Sequence, residues 1–352
     1  MVSFYSQIPG PNVKKPENMS YIDFMIETAK LSDKYNFTGS LVIHNHISYD
    51  PWIVAQKIIE NTPKNIPLIA VQSYAVSPFA TAKFVQSISN LYNRKVNLNF
   101  ITGISESELD KIGNRLTLSE RYERVEEHIK ILKSLLLNQK TTTFSGNHFS
   151  CADLEFSPNI SKEMLPEFYI AGSSAENINV AKKVADISVS RPLPIEEFRM
   201  KYQKQFAEVN TNLGIRIGII ARETKEEAWR AARERYNISE REAALAIKLN
   251  KKPSNASDKN IEMLAKEAEI YDDVFWLGSY LSGRNNNPFL VGSYEDVADY
   301  LFKYYKLGVR AFLIADLFSE EKFYHTEKVH KKLKDIIKIS KDSVIIESVI
   351  PS

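Results

Sequence analysis

The feature that most constrains this chain is an alternation of short apolar runs with longer amphipathic ones. The apolar runs fall at residues 3–8, 40–45, 67–74, 96–102, 168–171, 187–190, 215–221 and 311–315. They are often continuous in Val, Ile, Leu and Phe and bounded by Gly, Pro, Asn or Ser, as strands buried on both faces are. Helical patterns lie between them, for example at 21–35, 77–91, 119–137, 176–184 and 224–236. Ser20 and Ser119 stand as caps before two of these, and Thr-Lys-Glu-Glu at 224–227 has the spacing of a capping box. Strands separated by helices imply a parallel sheet with right-handed crossovers. Eight such units close into a barrel. The open doubly wound sheet is the rival, but no Gly-rich dinucleotide fingerprint follows the first strand. The expected fold is therefore α/β, a single (β/α)8 TIM barrel over residues 1–352.

Two stretches break the rhythm and are expected as insertions after the fourth and seventh strands. Residues 138–166 include Thr-Thr-Thr-Phe-Ser-Gly-Asn-His-Phe, a small β-hairpin pattern. Residues 237–284 are polar and helix-prone and end in Ser-Gly-Arg before an Asn run. On the face where barrel enzymes hold their sites, such a stretch is expected to be a mobile lid, with an oligomer contact as the alternative.

Charge and cysteine content narrow the function classes. With 46 basic and 44 acidic residues among 352, the net charge is only +2, so nucleic acid is not the expected partner. Cys151 is the only cysteine, which excludes an intrachain disulfide and a cysteine-based metal site. No apolar run approaches the roughly 18–20 residues needed to cross a bilayer. The N-terminus lacks the basic and apolar regions of a signal peptide. A cytoplasmic protein with no membrane partner is expected.

In an α/β barrel the chemistry lies where the strands end. That rule selects Gln7, then His44 and His46, then Gln72, Asn99 and Thr102, the Gly172-Ser173-Ser174 turn, Arg191 and Asp316. Gly172-Ser173-Ser174 joins a strand to a helix. It offers backbone N–H groups and two hydroxyls at a helix N-terminus, which suits a phosphate, although a serine N-cap has the same appearance. His44 and His46 are one residue apart, so on extended backbone both can face the mouth. They suit acid–base work near neutral pH. A metal pair is the alternative, but no third ligand of matching pattern is visible, and none is expected. Arg191, Arg216 and Arg284 near one mouth suit an anionic substrate.

Taken in order, several blocks resemble the bacterial luciferase-like flavin-dependent monooxygenases, in particular their alkanesulfonate monooxygenase branch. These are Asn-Phe-Thr-Gly at 36–39, Asp-Pro-Trp-Ile-Val-Ala at 50–55, Asn-Phe-Ile-Thr-Gly at 99–103 and Ser-Glu-Arg-Tyr-Glu at 119–123. Ala-Gly-Ser-Ser at 171–174, Arg-Glu-Thr-Lys-Glu-Glu-Ala-Trp at 222–229 and Leu-Val-Gly-Ser at 290–293 follow. The resemblance implies FMN, with Gly172, Ser173, Ser174 and Tyr122 at its phosphate and Asn99 and Thr102 bordering its ring. It implies His44 or His46 as the acid–base group and Arg216 and Arg284 at the reacting substrate. Arg121 and Glu123 are expected to form an ion pair that fixes their helix.

The departures from that branch fall around the substrate. Leu118 stands where a phosphate-holding histidine is usual, and Ser48 where a cysteine is. Gly218 replaces a histidine, Leu317 a tyrosine and Arg191 a tryptophan. The implied activity is a monooxygenase that uses reduced FMN and O2 on a small, anionic organic molecule. A separate NAD(P)H:FMN reductase would supply the flavin, and a homodimer or homotetramer is implied. The rival readings are a deazaflavin oxidoreductase on the same barrel and a flavin-binding protein without catalysis.

Overall fold

The computed structural model describes residues 2–103, 106–137, 141–207, 209–237, 256–283, 285 and 287–349. Eight parallel strands form the barrel: β1 (Ser3–Gln7), β2 (Gly39–Val42), β3 (Ile66–Gln72), β4 (Asn97–Ile101), β5 (Phe168–Ala171), β6 (Ile187–Ser190), β7 (Asn212–Arg222) and β8 (Val309–Ala315). The first six pair in sequence order, β1 pairs with β8, and β8 with β7. Pairing of Ile187–Ser190 with residues 212–215 closes the ring. All eight strands lie where the apolar runs place them, and the open sheet is ruled out by that closure.

The main helices are α1 (Tyr21–Lys34), α2 (Pro51–Asn61), α3 (Pro78–Tyr92), α4 (Leu118–Leu137), α5 (Ala175–Val184), α6 (Lys225–Arg235), α7 (Tyr294–Lys306) and α8 (Glu320–Val349). Their starts have local causes. Asp50 and Ser77 cap α2 and α3, each with proline next, whose missing N–H costs nothing in a first turn. The cap of α4 is Thr117, two residues earlier than Ser119. Its hydroxyl accepts from Glu120 N–H (3.3 Å), and the Glu120 carboxylate accepts from Thr117 N–H (2.7 Å).

Buried residues from six strands, Tyr5, Leu41, Leu68, Tyr169, Ile187, Val189, Ala311 and Leu313, form one cluster that fills the barrel. A polar group seals its lower end: Asn97 donates to Tyr5 Oη (2.8 Å) and to Glu167 (3.1 Å), which also accepts from Tyr169 Oη (3.2 Å). Two larger clusters pack outside, one against β3, β4 and α2 to α5, the other against β7, β8 and the C-terminal helices.

The hairpin expected in 138–166 is present as Thr142–Ser145 paired with Ser150–Leu154. It is tied down by Glu127, a buried carboxylate on α4 that accepts from the backbone N–H groups of Asn147 (2.7 Å), His148 (2.9 Å) and Phe149 (2.9 Å). A Cβ at Gly146 would come within 2.5 Å of that carboxylate, so only glycine allows the turn to close on it.

The second insertion, expected as a lid, is described only in part. Residues 238–255 and Arg284 lie outside the described residues. From Ile270 to Leu281 the chain is built into the sheet: Phe275 and Trp276 pair antiparallel with Phe289–Ser293, and that segment pairs in parallel with residues 218–222 of β7. Phe275, Trp276 and Leu277 are buried. The segment Phe289–Ser293 had no place among the expected strands. β7 therefore serves three neighbours, β6, β8 and this segment, and leaves the barrel at Gly218, where its register with β8 ends at Ala315. Among the described residues no helix is long and apolar enough to cross a membrane.

Two measurements follow from this packing. Glu127→Ala removes the acceptor for three N–H groups and should lower unfolding free energy by roughly 2 kcal/mol or more, with faster proteolysis in the hairpin. Unchanged denaturation and proteolysis would show that the turn holds itself. The second concerns His128 and His330, both buried, with burial as the main cause holding each imidazole down at about 3 and nearby cations adding to it. A depressed histidine stabilises the fold fully above its unfolded value near 6.5, and that contribution is lost as pH falls toward 3. Stability at pH 5 should be lower than at pH 8 by about 2 kcal/mol per histidine, and His128→Gln should flatten the dependence in urea titrations.

Candidate active site

The strand ends carry an unusual concentration of buried polar groups. Gln7, Gln72, Ser73, Asn99 and Ser190 are all buried. Gln72 Oε1, Ser73 Oγ, Asn99 Oδ1, His44 Nδ1 and Arg216 Nε have no hydrogen-bond partner, nor has either amide atom of Asn177. Polar atoms taken from water normally find partners, so a cluster without them marks a surface shaped for something else.

The turn after β5 gives the sharpest geometry. Gly172 has φ +155° and its N–H donates to the Val189 carbonyl (2.9 Å). A Cβ there would lie 2.4 Å from the Tyr122 hydroxyl and 2.7 Å from Asn177 Nδ2. Ser174 caps α5 by accepting from Asn177 N–H (3.2 Å), and its hydroxyl lies against that of Tyr122. Tyr122 is buried, and burial raises its phenol above the ordinary value while the side chains of Thr102, Asn177 and Ser174 surround it. Thr102, Tyr122, Gly172 and Ser174 are thus brought together, with Ser173 buried beside them. Ser173 and Ser190 in turn border the Tyr202 hydroxyl, whose pKa burial pushes up to about 12. Ser174 is thus the serine N-cap that the sequence pattern allowed.

On β7, Arg216 points its guanidinium into the barrel. Nη2 donates to Gln7 Oε1 (2.5 Å) and Nε is fully enclosed. Burial, with the Arg191 cation adding to it, lowers its pKa to about 10, so it stays charged at neutral pH. Among the described residues no carboxylate is paired with it. Arg191 is half-buried at the end of β6.

His44 is half-buried beside Gln72. Burial is the main cause lowering its pKa, opposed by Asp50. His46 is exposed on the following turn, so the two rings do not share the mouth as extended backbone would allow. Among the described residues no group of three or more His, Cys, Asp or Glu is placed to hold a metal. Ser48 closes that turn by accepting from Asn45 N–H (2.9 Å) and donating to its carbonyl (3.0 Å). Gly218 has no room for any side chain, because a Cβ would meet the Phe289 ring at 2.3 Å. Leu317 is buried.

Arg121 does not pair with Glu123. It is buried and donates to the Leu116 carbonyl (3.0 Å), while Glu123 accepts from Asn147 Nδ2 (2.7 Å) in the hairpin. Arg284 lies outside the described residues. A separate cavity of about 390 Å³ opens beside the end of β7, lined by Arg222, Arg235, Glu321, Lys322 and His325 among others. Its cations are matched by acids, with Arg222 on Glu321 (2.7 Å) and Arg235 and Lys322 on Asp316, and none of the expected site residues lines it.

Sequence reasoning placed Gln7 and Gln72 at the mouth without giving them a role, and it missed Asn177 and Tyr202. Asn177 carried a signal: it is a polar residue on the stripe of α5 that otherwise buries Ile178, Ala181 and Val184.

Comparison with known proteins agrees with the barrel fold. The family model described as luciferase-like monooxygenase matches residues 3–311. The 4-(gamma-L-glutamylamino)butanoyl-[BtrI acyl-carrier protein] monooxygenase BtrO of Niallia circulans is 36% identical over 335 residues, 95% of this chain and 98% of that one. Among solved structures, EDTA monooxygenase from Chelativorans sp. BNC1 superposes with a TM-score of 0.72 at 17% identity, over 95% of this chain and 94% of that one. The oxygenating constituent of 3,6-diketocamphane monooxygenase from Pseudomonas putida, solved with FMN, gives 0.67 at 14% identity, over 95% and 98%. This chain belongs to the luciferase-like monooxygenase family.

Proposed function

We propose that this monooxygenase uses reduced FMN, delivered by a separate NAD(P)H-dependent reductase, and O2 to oxygenate a small organic anion. The observation that carries the reading is the unpartnered polar lining at the strand ends, next to a turn where a glycine, a buried phenol and a helix N-terminus meet.

The residues present fit FMN. Having no side chain, Gly172 lets the Tyr122 hydroxyl pack against the turn, and Ser173, Ser174 and Tyr122 bring hydroxyls beside the positive end of α5, as a phosphate requires. Asn99 and Thr102 stand where the ring would lie, and the Asn99 amide can meet the ring's polar edge. When bound in reduced form, FMN supplies the electrons that reduce O2 so that one oxygen atom can go to the substrate. The barrel's part is to bind, orient and exclude water. His44 is held largely neutral by burial, so its imidazole can accept a proton from the substrate side and return it. His46, being exposed, is the weaker of the two candidates, and it would act by sharing the proton with His44.

Arg216 supports the anionic substrate. A buried guanidinium without a carboxylate beside it leaves a positive charge for a ligand to neutralise, and Arg191 adds to that field. The 36%-identical relative acts on a γ-glutamylated butanoyl group carried by a protein. A glutamyl unit joined through its γ-carbon keeps a free α-carboxylate, the kind of anion Arg216 would receive. Arg284 would complete this set from the rim. The exposed Ile53, Phe84 and Leu91 on α2 and α3 support a homodimer or homotetramer. Dependence on a reductase and NAD(P)H agrees with a cytoplasmic enzyme.

Titration with oxidised and anaerobically reduced FMN, followed by flavin fluorescence and absorbance, should show saturable binding, and O2-dependent product should appear only with a reductase present. Binding of neither form sinks the proposal, and anaerobic turnover with a deazaflavin would replace it. Arg216→Met should lower kcat/KM for the anionic substrate by about 10–100-fold while flavin affinity stays within twofold. An unchanged kcat/KM would remove Arg216 from the substrate site.

A further inference from the structure

Asp316, singled out by the sequence as a strand-end residue, has no part in the function proposed above. It is the first residue after β8 and sits in the left-handed region (φ +66°), which aspartate and asparagine tolerate better than most side chains do. Its carboxylate gathers groups from two helices. Arg235, the last residue of α6, donates to Oδ2 and to the main-chain carbonyl (3.4 Å), and the Tyr236 hydroxyl donates to Oδ2 as well (3.2 Å). Lys322, in the first turn of α8, lies 3.6 Å from Oδ1. Arg235 and Tyr236 are the residues from which the second insertion departs, and the Tyr236 hydroxyl also borders Asn285, just past the insertion's other end.

Strand alternation shows what those contacts hold. Residues 216, 218 and 220 of β7 share one face. On that face Arg216 points into the barrel, Gly218 is covered by the Phe289 ring, and Ile220 packs with Ala228, Ala232, Tyr236 and Trp276. The layer formed by α6 and the segment ending at Phe289 therefore continues the wall that carries the guanidinium. Tyr236 links Asp316 to that layer, its ring meeting those of Trp276 and Phe289 at 5.5 Å each and steeply inclined to both. The Pro288 carbonyl accepts from Gly218 N–H (2.9 Å), and Asn285 Oδ1 accepts from the backbone N–H (3.0 Å) and the amide (2.9 Å) of Asn287. A buried phenol needs only one acceptor. Asp316 supplies it from a carboxylate that Arg235 and Lys322 also hold in place, so the end of β8 is tied through Tyr236 to the ring beside Arg216.

We propose that Asp316 is a positioning residue of the substrate pocket: through Tyr236 it seats Phe289 against Gly218 and so fixes the wall beside Arg216. The inference rests on the reading of Arg216 as the receiver of a substrate carboxylate, and it adds the residue that sets how closely the anion is confined there. Because Asp316 acts through Tyr236 and Phe289, losing its charge loosens that wall and leaves the rest of the barrel as it was.

Asp316→Asn keeps a residue that accepts the left-handed backbone and removes the charge, and Tyr236→Phe removes only the hydroxyl. Hydrogen–deuterium exchange of the full-length protein, read by mass spectrometry, should speed up about tenfold in peptides covering 285–293 in either variant, with peptides from β1 to β6 unchanged. The probe for the pocket is γ-L-glutamyl-4-aminobutanoate, whose α-carboxylate Arg216 would receive. Its Kd by calorimetry should rise about tenfold in each variant, and the double variant should bind it no more weakly than the single ones. Unchanged exchange at 285–293, an unchanged Kd or an additive double variant overturns the inference. Faster exchange throughout the barrel also overturns it, by marking Asp316 as merely structural. A wild type that does not bind the probe is a separate result, seen before any substitution is made: it overturns the reading of Arg216 itself and this inference with it.

Discussion

The pairing of Ile187–Ser190 with the first residues of β7 is the contact on which the rest of the molecule depends. It turns a twisted parallel sheet into a ring, and a ring forces eight strand ends, with the turns that follow them, to face one another. Without it, Gly172 and Arg216 would sit on an open surface where water could satisfy every donor. With it, the same groups are desolvated and directed at a shared space. Closure uses only the lower half of β7, which leaves the upper half free to recruit Phe289–Ser293 and, through it, the insertion.

Two kinds of positive potential result, and they differ in origin. At the β5–α5 turn there is no cationic side chain among the groups meeting at Gly172, only hydroxyls, an amide and backbone N–H groups at a helix start. Such a site favours an anion through many weak, directed donors. At β7 the charge is a single guanidinium, screened by little and held by Gln7. That site favours an anion by Coulomb attraction in a low-dielectric setting. In the proposed function, a phosphate and a carboxylate would go to different parts of one mouth without competing.

The strands were legible because each is buried on both faces and so writes an apolar run into the sequence. Phe289–Ser293 was not, because a five-residue run after an Asn-Pro turn looks the same whether it opens a helix or adds to a sheet edge. Thr117 shows how capping chemistry places a helix start only to within a turn: Ser119 has the right chemistry, but the reciprocal bond forms with Glu120 from two residues earlier. The adjacency of Arg121 and Glu123 suggested a pair, yet residues two apart on a helix point in different directions, and each found a partner elsewhere. His44 and His46 were separated by the turn that Asn45 and Ser48 make, which breaks the extended geometry that would align them. The cradle was half visible: Gly172-Ser173-Ser174 is a local pattern, whereas Tyr122 and Asn177 meet it only through the packing of α4 against α5.

Gly218 and Phe289 tie the end of β7 to the seating of the insertion. The ring of Phe289 occupies the volume any side chain at 218 would need, and Phe289 pairs with Trp276 on the strand that fastens residues 270–281 to the barrel. A lineage cannot acquire a functional group at 218 by a single codon change here, because the strap would have to be reseated at the same time. The interior at 218 and the seating of the strap are therefore one packing problem, not two.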